Sequence, residues 1–337
     1  MKEASFYEKL PDNKVHCFLC KHHCTIAVGK RGICGVRENR DGTLYTLVYE
    51  LPCATHVDPI EKKPLFHFFP GSKAFSIATM GCNFHCLHCQ NHDISQMSEK
   101  QCFVKGDRMT AQEVVDYAER EECKSISYTY TEPTIFYEYA FEIAKRAREK
   151  GLYNNFVTNG YIEDEPLRTI QPYLDAANID LKGFDESFYK KVCKAELPKV
   201  LDTIRTYRKL NIWIELTTLI IPGHNDSEEG LRAIARFIVN DLGPQVPWHV
   251  SAFYPTYKLL DVSSTSPKTL KRAREIGLEE GLRYVYEGNI PGSDGEHTYC
   301  YRCKKPVIKR YGYTIMEYHI KNNSCVYCGA IIDGIGL

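Results

Sequence analysis

From about residue 75 onward, short apolar runs alternate with stretches whose apolar positions recur at helical spacing. The runs lie at 76–80, 125–130, 155–158, 176–181, 213–220, 248–253 and 284–286. Runs of that length and composition, bounded by turn formers, predict buried strands. Between them, Thr110 followed by Glu113 forms a capping box that opens a helix through Arg120. Further helices are predicted over 134–150, ending at Gly151, over 197–210, over 227–239 behind Ser227, and over 267–280, ending at Gly281. Strand–helix alternation sustained over this length predicts a parallel sheet. Six or seven repeats predict an α/β fold of the partial (β/α)6 TIM-like barrel type rather than a short doubly wound sheet.

The two ends break the alternation. Residues 1–74 hold Cys17, Cys20, Cys24 and Cys34, the last inside Gly32-Ile33-Cys34-Gly35. Four thiolates within eighteen positions, with glycines permitting a tight backbone, fit a closed tetrahedral site. His16, His22 and His23 are alternative ligands, and zinc and an auxiliary iron–sulfur cluster are both open readings. A strand is predicted over 42–49, then a proline-bounded irregular stretch over 58–71. Residues 297–337 pair Cys300-x2-Cys303 with Cys325-x2-Cys328 across about twenty residues, a zinc-ribbon spacing. The chain thus divides into a four-cysteine metal-binding segment (1–74), a barrel (75–296) and a zinc-ribbon-like knot (297–337).

Composition narrows the function. The chain has 337 residues, 43% hydrophobic and 26% charged, with a formal net charge of zero. A large core is affordable, and the electrostatic footprint of a general nucleic-acid binder is missing. The first residues lack an apolar targeting run and no stretch approaches about 18 apolar residues, so the expectation is a soluble cytoplasmic protein with no membrane contact. The fifteen cysteines come in tight groups that suit metals, which implies a reducing and oxygen-protected setting. Cys53, Cys102, Cys123 and Cys193 are left over; Cys53 and Cys102 flank the central motif, and a redox or substrate-binding role is open for both.

That motif is Cys82-x3-Cys86-x2-Cys89, directly after the first barrel run. Three cysteines are one too few for a closed tetrahedral site. They suit a cubane cluster with one iron left open to a ligand, against the plainer reading of half a zinc site. On the fifth strand, Glu215 and Thr217 share one face by their period-2 spacing. Polar groups on the inner face of a barrel are costly unless they touch a ligand or each other.

Cys82-x3-Cys86-x2-Cys89 resembles the radical S-adenosylmethionine (SAM) superfamily, especially the branch of pyruvate formate-lyase activating enzymes. Cys17-x2-Cys20, Gly32–Arg37, Asp58–Pro64, Cys89-Gln90-Asn91 and Gly288–Gly292 further resemble the radical SAM component of the AmmeMemoRadiSam system. The resemblance implies a [4Fe–4S] cluster on Cys82, Cys86 and Cys89 that cleaves SAM reductively to methionine and a 5′-deoxyadenosyl radical. It implies that Glu132, in Tyr130-Thr131-Glu132-Pro133, meets the SAM amino group although the family's two glycines are missing. By the same likeness Asn159 in Thr158-Asn159-Gly160 reaches SAM, Lys182 in Asp180-Leu181-Lys182 holds the SAM carboxylate or a substrate anion, and His249 lies near the adenosyl group. His88 stands where the family more often has an aromatic stacked on adenine.

The expected function is therefore a radical SAM oxidoreductase acting on a protein or small molecule. The alternatives are a dedicated glycyl radical enzyme activase and, in another class, a non-catalytic metal-binding interaction protein. The resemblance implies an electron donor such as ferredoxin or flavodoxin, and companions that include a Memo-like protein. The substrate is not legible in the sequence.

Overall fold

The computed structural model describes residues 1–97 and 104–337; Cys102 lies outside them. The chain forms two compact units. The first comprises Met1–Asp58, Lys73–Asp175 and Lys199–Ile212, the second Pro59–Ser72, Ala176–Pro198 and Trp213–Leu337.

In the first unit, three parallel strands β1 (Lys73–Thr79), β2 (Ser125–Tyr128) and β3 (Tyr153–Thr158) lie in the order β3-β2-β1, with Pro52–Pro59 at the far edge. All of β2 is buried, which explains its continuous run of small, β-branched and aromatic residues. Helices α1 (Ala111–Arg120), α2 (Tyr137–Glu149) and α3 (Asp164–Ile170) intervene or follow. The Thr110–Glu113 capping box forms in both directions. Ahead of β1 stand two three-stranded antiparallel sheets, Lys2–Glu3 with Arg37–Arg40 and Thr43–Thr46, and Tyr7–Lys9 with Val15–Cys17 and Cys24–Ile26.

In the second unit, β4 (Ala176–Asp180), β5 (Trp213–Ile220), β6 (Trp248–Ala252) and β7 (Val285–Gly288) are parallel in the order β7-β6-β5-β4. Helices α4 (Glu228–Phe237) and α5 (Pro267–Glu279) connect the later strands. The C-terminal segment adds an antiparallel sheet, Thr298–Tyr299, Pro306–Tyr311 and Thr314–Tyr318, and a hairpin, Ile320–Lys321 with Ser324–Cys325. Cys300, Val307, Ile308, Ile320 and Cys325 share a buried cluster with Phe66, Tyr284 and Tyr286.

The boundaries depart from the sequence reading for local reasons. The strand expected over 125–130 stops at Tyr128, because Tyr130 adopts φ +62° and cannot continue a pleat. The helix expected over 134–150 starts with a 3-10 turn at Pro133–Phe136. The helix expected over 227–239 gives way to a π-turn at Ile238–Leu242, ended by Gly243. The strand expected over 42–49 is confined to Thr43–Thr46.

Candidate metal centre

The loop after β1 is held tightly. Gly81 has φ +98°, and a Cβ there would meet Val36 Cγ1 at 2.7 Å and the Cys34 carbonyl at 2.8 Å. Glycine is therefore required for the chain to turn from the strand into the cysteines. The Gly81 amide donates to Ile94 O at 2.9 Å, and Gln96 Nε2 donates to Phe84 O at 3.3 Å. The short helix His92–Ser95 brings Ser95 Oγ to 3.0 Å from Cys89 Sγ, and the Phe84 amide donates to Cys82 Sγ at 3.4 Å. Burial first, then the Glu132 carboxylate and Cys86, pushes the Cys82 thiol well above its ordinary value. A metal's positive charge is what turns such a thiol into a ligand.

Beside the loop, Glu132 and Asn159 meet. Glu132 is buried at the N-terminus of the Pro133–Phe136 turn. Its Oε1 accepts from the Thr134 amide (3.0 Å), Thr134 Oγ1 (2.6 Å) and Thr158 Oγ1 (2.8 Å), and its Oε2 from the Asn159 amide (2.8 Å). Burial raises its pKa, against the pull of these donors. Asn159 Nδ2 donates to Asn83 Oδ1 at 2.7 Å and approaches Cys82 Sγ at 3.9 Å. Asn83 Nδ2 is buried and has no protein acceptor among the described residues, an orphaned donor next to the cysteine loop. The sequence reading passed over Asn83, although its place inside the three-cysteine motif was a signal. His88 is also buried.

These groups fit the cluster. Three thiols on one loop, a donor left without a partner and a buried amide near a sulfur are what a cubane with its own sulfides needs. Among the described residues the three sulfurs are not gathered within 4.8 Å of one another, as ligands of one ion are.

The remaining expected site residues belong to the second unit. Glu215 on β5 and His249 on β6 meet each other, Oε2 to Nε2 at 2.7 Å. Glu215 also accepts from the Phe66 amide (3.0 Å), the His67 amide (2.8 Å) and Trp213 Nε1 (3.2 Å). Burial would raise Glu215, but the hydrogen bond from His249 and the charge around it hold it below the ordinary carboxylate value. His67, which the sequence did not single out, bonds Tyr286 Oη and Asp333 O, both at 2.5 Å, and burial lowers it to about 4. Lys182 pairs with Asp180 at 2.7 Å.

The C-terminal cysteines converge. Cys300, Cys303, Cys325 and Cys328 bring all four sulfurs within 4.8 Å of one another, with Cys300–Cys328 at 3.7 Å and Cys303–Cys325 at 3.8 Å. A tetrahedron with Zn–S bonds of about 2.3 Å has edges of about 3.8 Å. At the N-terminus, Cys17, Cys20, Cys24 and Cys34 line one cavity with His22. His16 and His23 turn to Glu8 and Glu163. Of the leftover thiols, Cys123 and Cys193 are buried and Cys53 is half-buried, raised by burial to about 11.

Residues 76–238 match the family model of the Radical SAM superfamily. The chain is 49% identical over 335 residues to the uncharacterized protein MJ0808 of Methanocaldococcus jannaschii, covering 99% of each. It is 22% identical over 219 residues to the pyruvate formate-lyase-activating enzyme of Clostridium pasteurianum, covering 61% of this chain and 89% of that one. A solved radical SAM methyltransferase from Sphaerobacter thermophilus shares the fold at TM-score 0.51 and 15% identity, over 68% of this chain and 71% of the other.

Proposed function

The chain belongs to the radical SAM superfamily, and from that premise we propose that it binds a [4Fe–4S] cluster through Cys82, Cys86 and Cys89 and positions SAM with Glu132, Asn159 and His88. When bound, the cluster supplies the electron that splits SAM into methionine and a 5′-deoxyadenosyl radical, which takes a hydrogen atom from the substrate. The observation that carries this reading is the glycine-held three-cysteine loop after β1, whose Cys82 thiol lies against the buried Asn83–Asn159–Glu132 chain.

The protein's own part is to orient and exclude water. Thr134, Thr158 and the Asn159 amide fix the Glu132 carboxylate, which leaves Oε2 with capacity for an ammonium donor. Asn83, whose Nδ2 has no acceptor among the described residues, and Asn159, near Cys82 Sγ, would offer amide donors to a bound cluster, a lever on its reduction potential. Lys182 is assigned to a carboxylate, and the Glu215–His249 pair to the adenosyl end. The residues of 1–74, 75–296 and 297–337 serve as three functional segments, the last holding zinc on Cys300, Cys303, Cys325 and Cys328. The reductant is a ferredoxin or flavodoxin, and a Memo-like protein is a candidate companion.

Anaerobically reconstituted protein with dithionite and SAM is expected to release 5′-deoxyadenosine, and Cys86→Ala to release none. Release by Cys86→Ala at the level of the parent chain would remove the cluster from this loop. A second reading, activation of a glycyl radical enzyme, draws support from the relatives named as activating enzymes. A glycyl-radical doublet in electron paramagnetic resonance (EPR) with a candidate partner would select it.

A further inference from the structure

The two four-cysteine sets of this chain differ in a way that separates their metals. In the C-terminal set the sulfurs stand at the edge length of a single-ion tetrahedron. In the N-terminal set, among the described residues, no three of Cys17, Cys20, Cys24 and Cys34 have sulfurs within 4.8 Å of one another, although all four line the same cavity. Four thiols that line one space without closing to the spacing of a single-ion tetrahedron fit a polynuclear centre, in which each thiolate takes its own iron. Leu19, Ile26, Ile33 and Ile135 supply an apolar part of the wall, which His22 and Arg37 also line. Backbone amides at His22, Ile33 and Val36 bond to Cys20, Cys24 and Cys34, as donors do around cluster sulfurs. Arg37 is buried beside the set, anchored by Glu138 at 3.0 Å and Ser5 O at 2.5 Å, and it places positive charge next to thiolates.

The location gives this site a use. The Cys34 carbonyl and Val36 are the atoms against which Gly81 packs, one residue before Cys82. His22 Nε2 bonds the Asn83 carbonyl at 2.8 Å, and Tyr161 packs against both His22 and Phe84, at 4.8 and 5.1 Å between ring centroids. The N-terminal cysteine segment thus touches the SAM-cluster loop at Gly81 and at Asn83, and Tyr161 bridges the two through His22 and Phe84.

We infer that Cys17, Cys20, Cys24 and Cys34 hold a second, redox-active iron–sulfur cluster that passes electrons to the centre on Cys82, Cys86 and Cys89. One electron from a low-potential donor reduces the N-terminal cluster; its transfer to the neighbouring cluster returns the first to its oxidised state. The metal assignment stands without the proposed function, and only the relay rests on it.

The full chain, reconstituted anaerobically with iron, sulfide and zinc, is expected to hold about eight irons and about one zinc. The double variant Cys17→Ser, Cys34→Ser is expected to fall to about four irons with zinc unchanged. About four irons and two zincs in the parent chain would overturn the inference. Because the double variant can fail to fold, the parent chain is also read by EPR after dithionite reduction. Two reduced-cluster signals are expected, one shifted by added SAM and the other unmoved in position. A single signal that SAM shifts entirely would overturn the inference. Eight irons with no SAM-sensitive signal would instead overturn the proposed function while keeping the second cluster. Spin–spin broadening between the two signals tests their adjacency, and two unbroadened signals would overturn the relay.

Discussion

At the scale of single residues, Glu132 and His67 are the most informative. Glu132 carries four hydrogen bonds from its own surroundings, so its position is set before any ligand arrives. Glu132→Gln is expected to weaken SAM binding about 10- to 100-fold, because a charged hydrogen bond contributes about 1.5–3 kcal/mol. Iron content should hold, and an unchanged Kd by equilibrium dialysis would make Glu132 purely structural. His67 gives a pH dependence. Burial lowers it from 6.5 to about 4, so between those values the unfolded imidazole binds a proton that the folded one refuses. Stability is full above pH 6.5 and falls by about 3 kcal/mol as pH drops toward 4. Glu215, held low by His249, adds a further loss as pH passes from its ordinary range down through its folded value. Urea midpoints between pH 7 and pH 4 measure this, and His67→Gln should flatten the slope. Glu215 stood out in the sequence by its register, and Glu132 and His249 by the likeness to the family. Their partners did not: His67 and Phe66 lie about 150 residues before Glu215 and reach it only in the fold.

At the scale of elements, the strand-to-loop turn at Gly81 is the tightest constraint on the candidate centre. Gly81→Ala would put a methyl within 3 Å of Val36 and the Cys34 carbonyl at a backbone angle that L-residues disfavour. The expected cost is about 2–4 kcal/mol, with a matching loss of bound iron, measured by denaturation and iron analysis. Full stability and full iron would show that the segment around Cys34 yields easily. The capping box at Thr110 and the Ser227 cap form from residues three apart, which is why these helix starts were readable. The end of β2 was not, because the positive φ of Tyr130 belongs to a tyrosine held from outside its own run. Its hydroxyl bonds Asp58, and its carbonyl accepts from Asn91 at 2.6 Å.

At the scale of the whole molecule, the proposed assignments sort the cysteines into centres of different chemistry. Air exposure is expected to remove iron and abolish 5′-deoxyadenosine release while zinc stays on the C-terminal knot, since zinc has no redox chemistry and a closed thiolate shell. Metal analysis before and after exposure checks this, and zinc lost ahead of iron would reassign Cys300–Cys328. Among the described residues no helix is long and apolar enough to cross a membrane. The sequence alone determined the strand–helix alternation, the cysteine spacings and hence the family, because periodicity and short-range ligand spacing are local properties of a chain. Only the tertiary structure decided how far apart the sulfurs of each set stand, which carboxylates are already saturated, and that the Cys34 segment lies against Gly81. Those depend on contacts between residues tens to hundreds of positions apart, which packing fixes and local spacing does not encode. The C-x3-C-x2-C motif announced an open cluster; the fold set a second cysteine cage beside it.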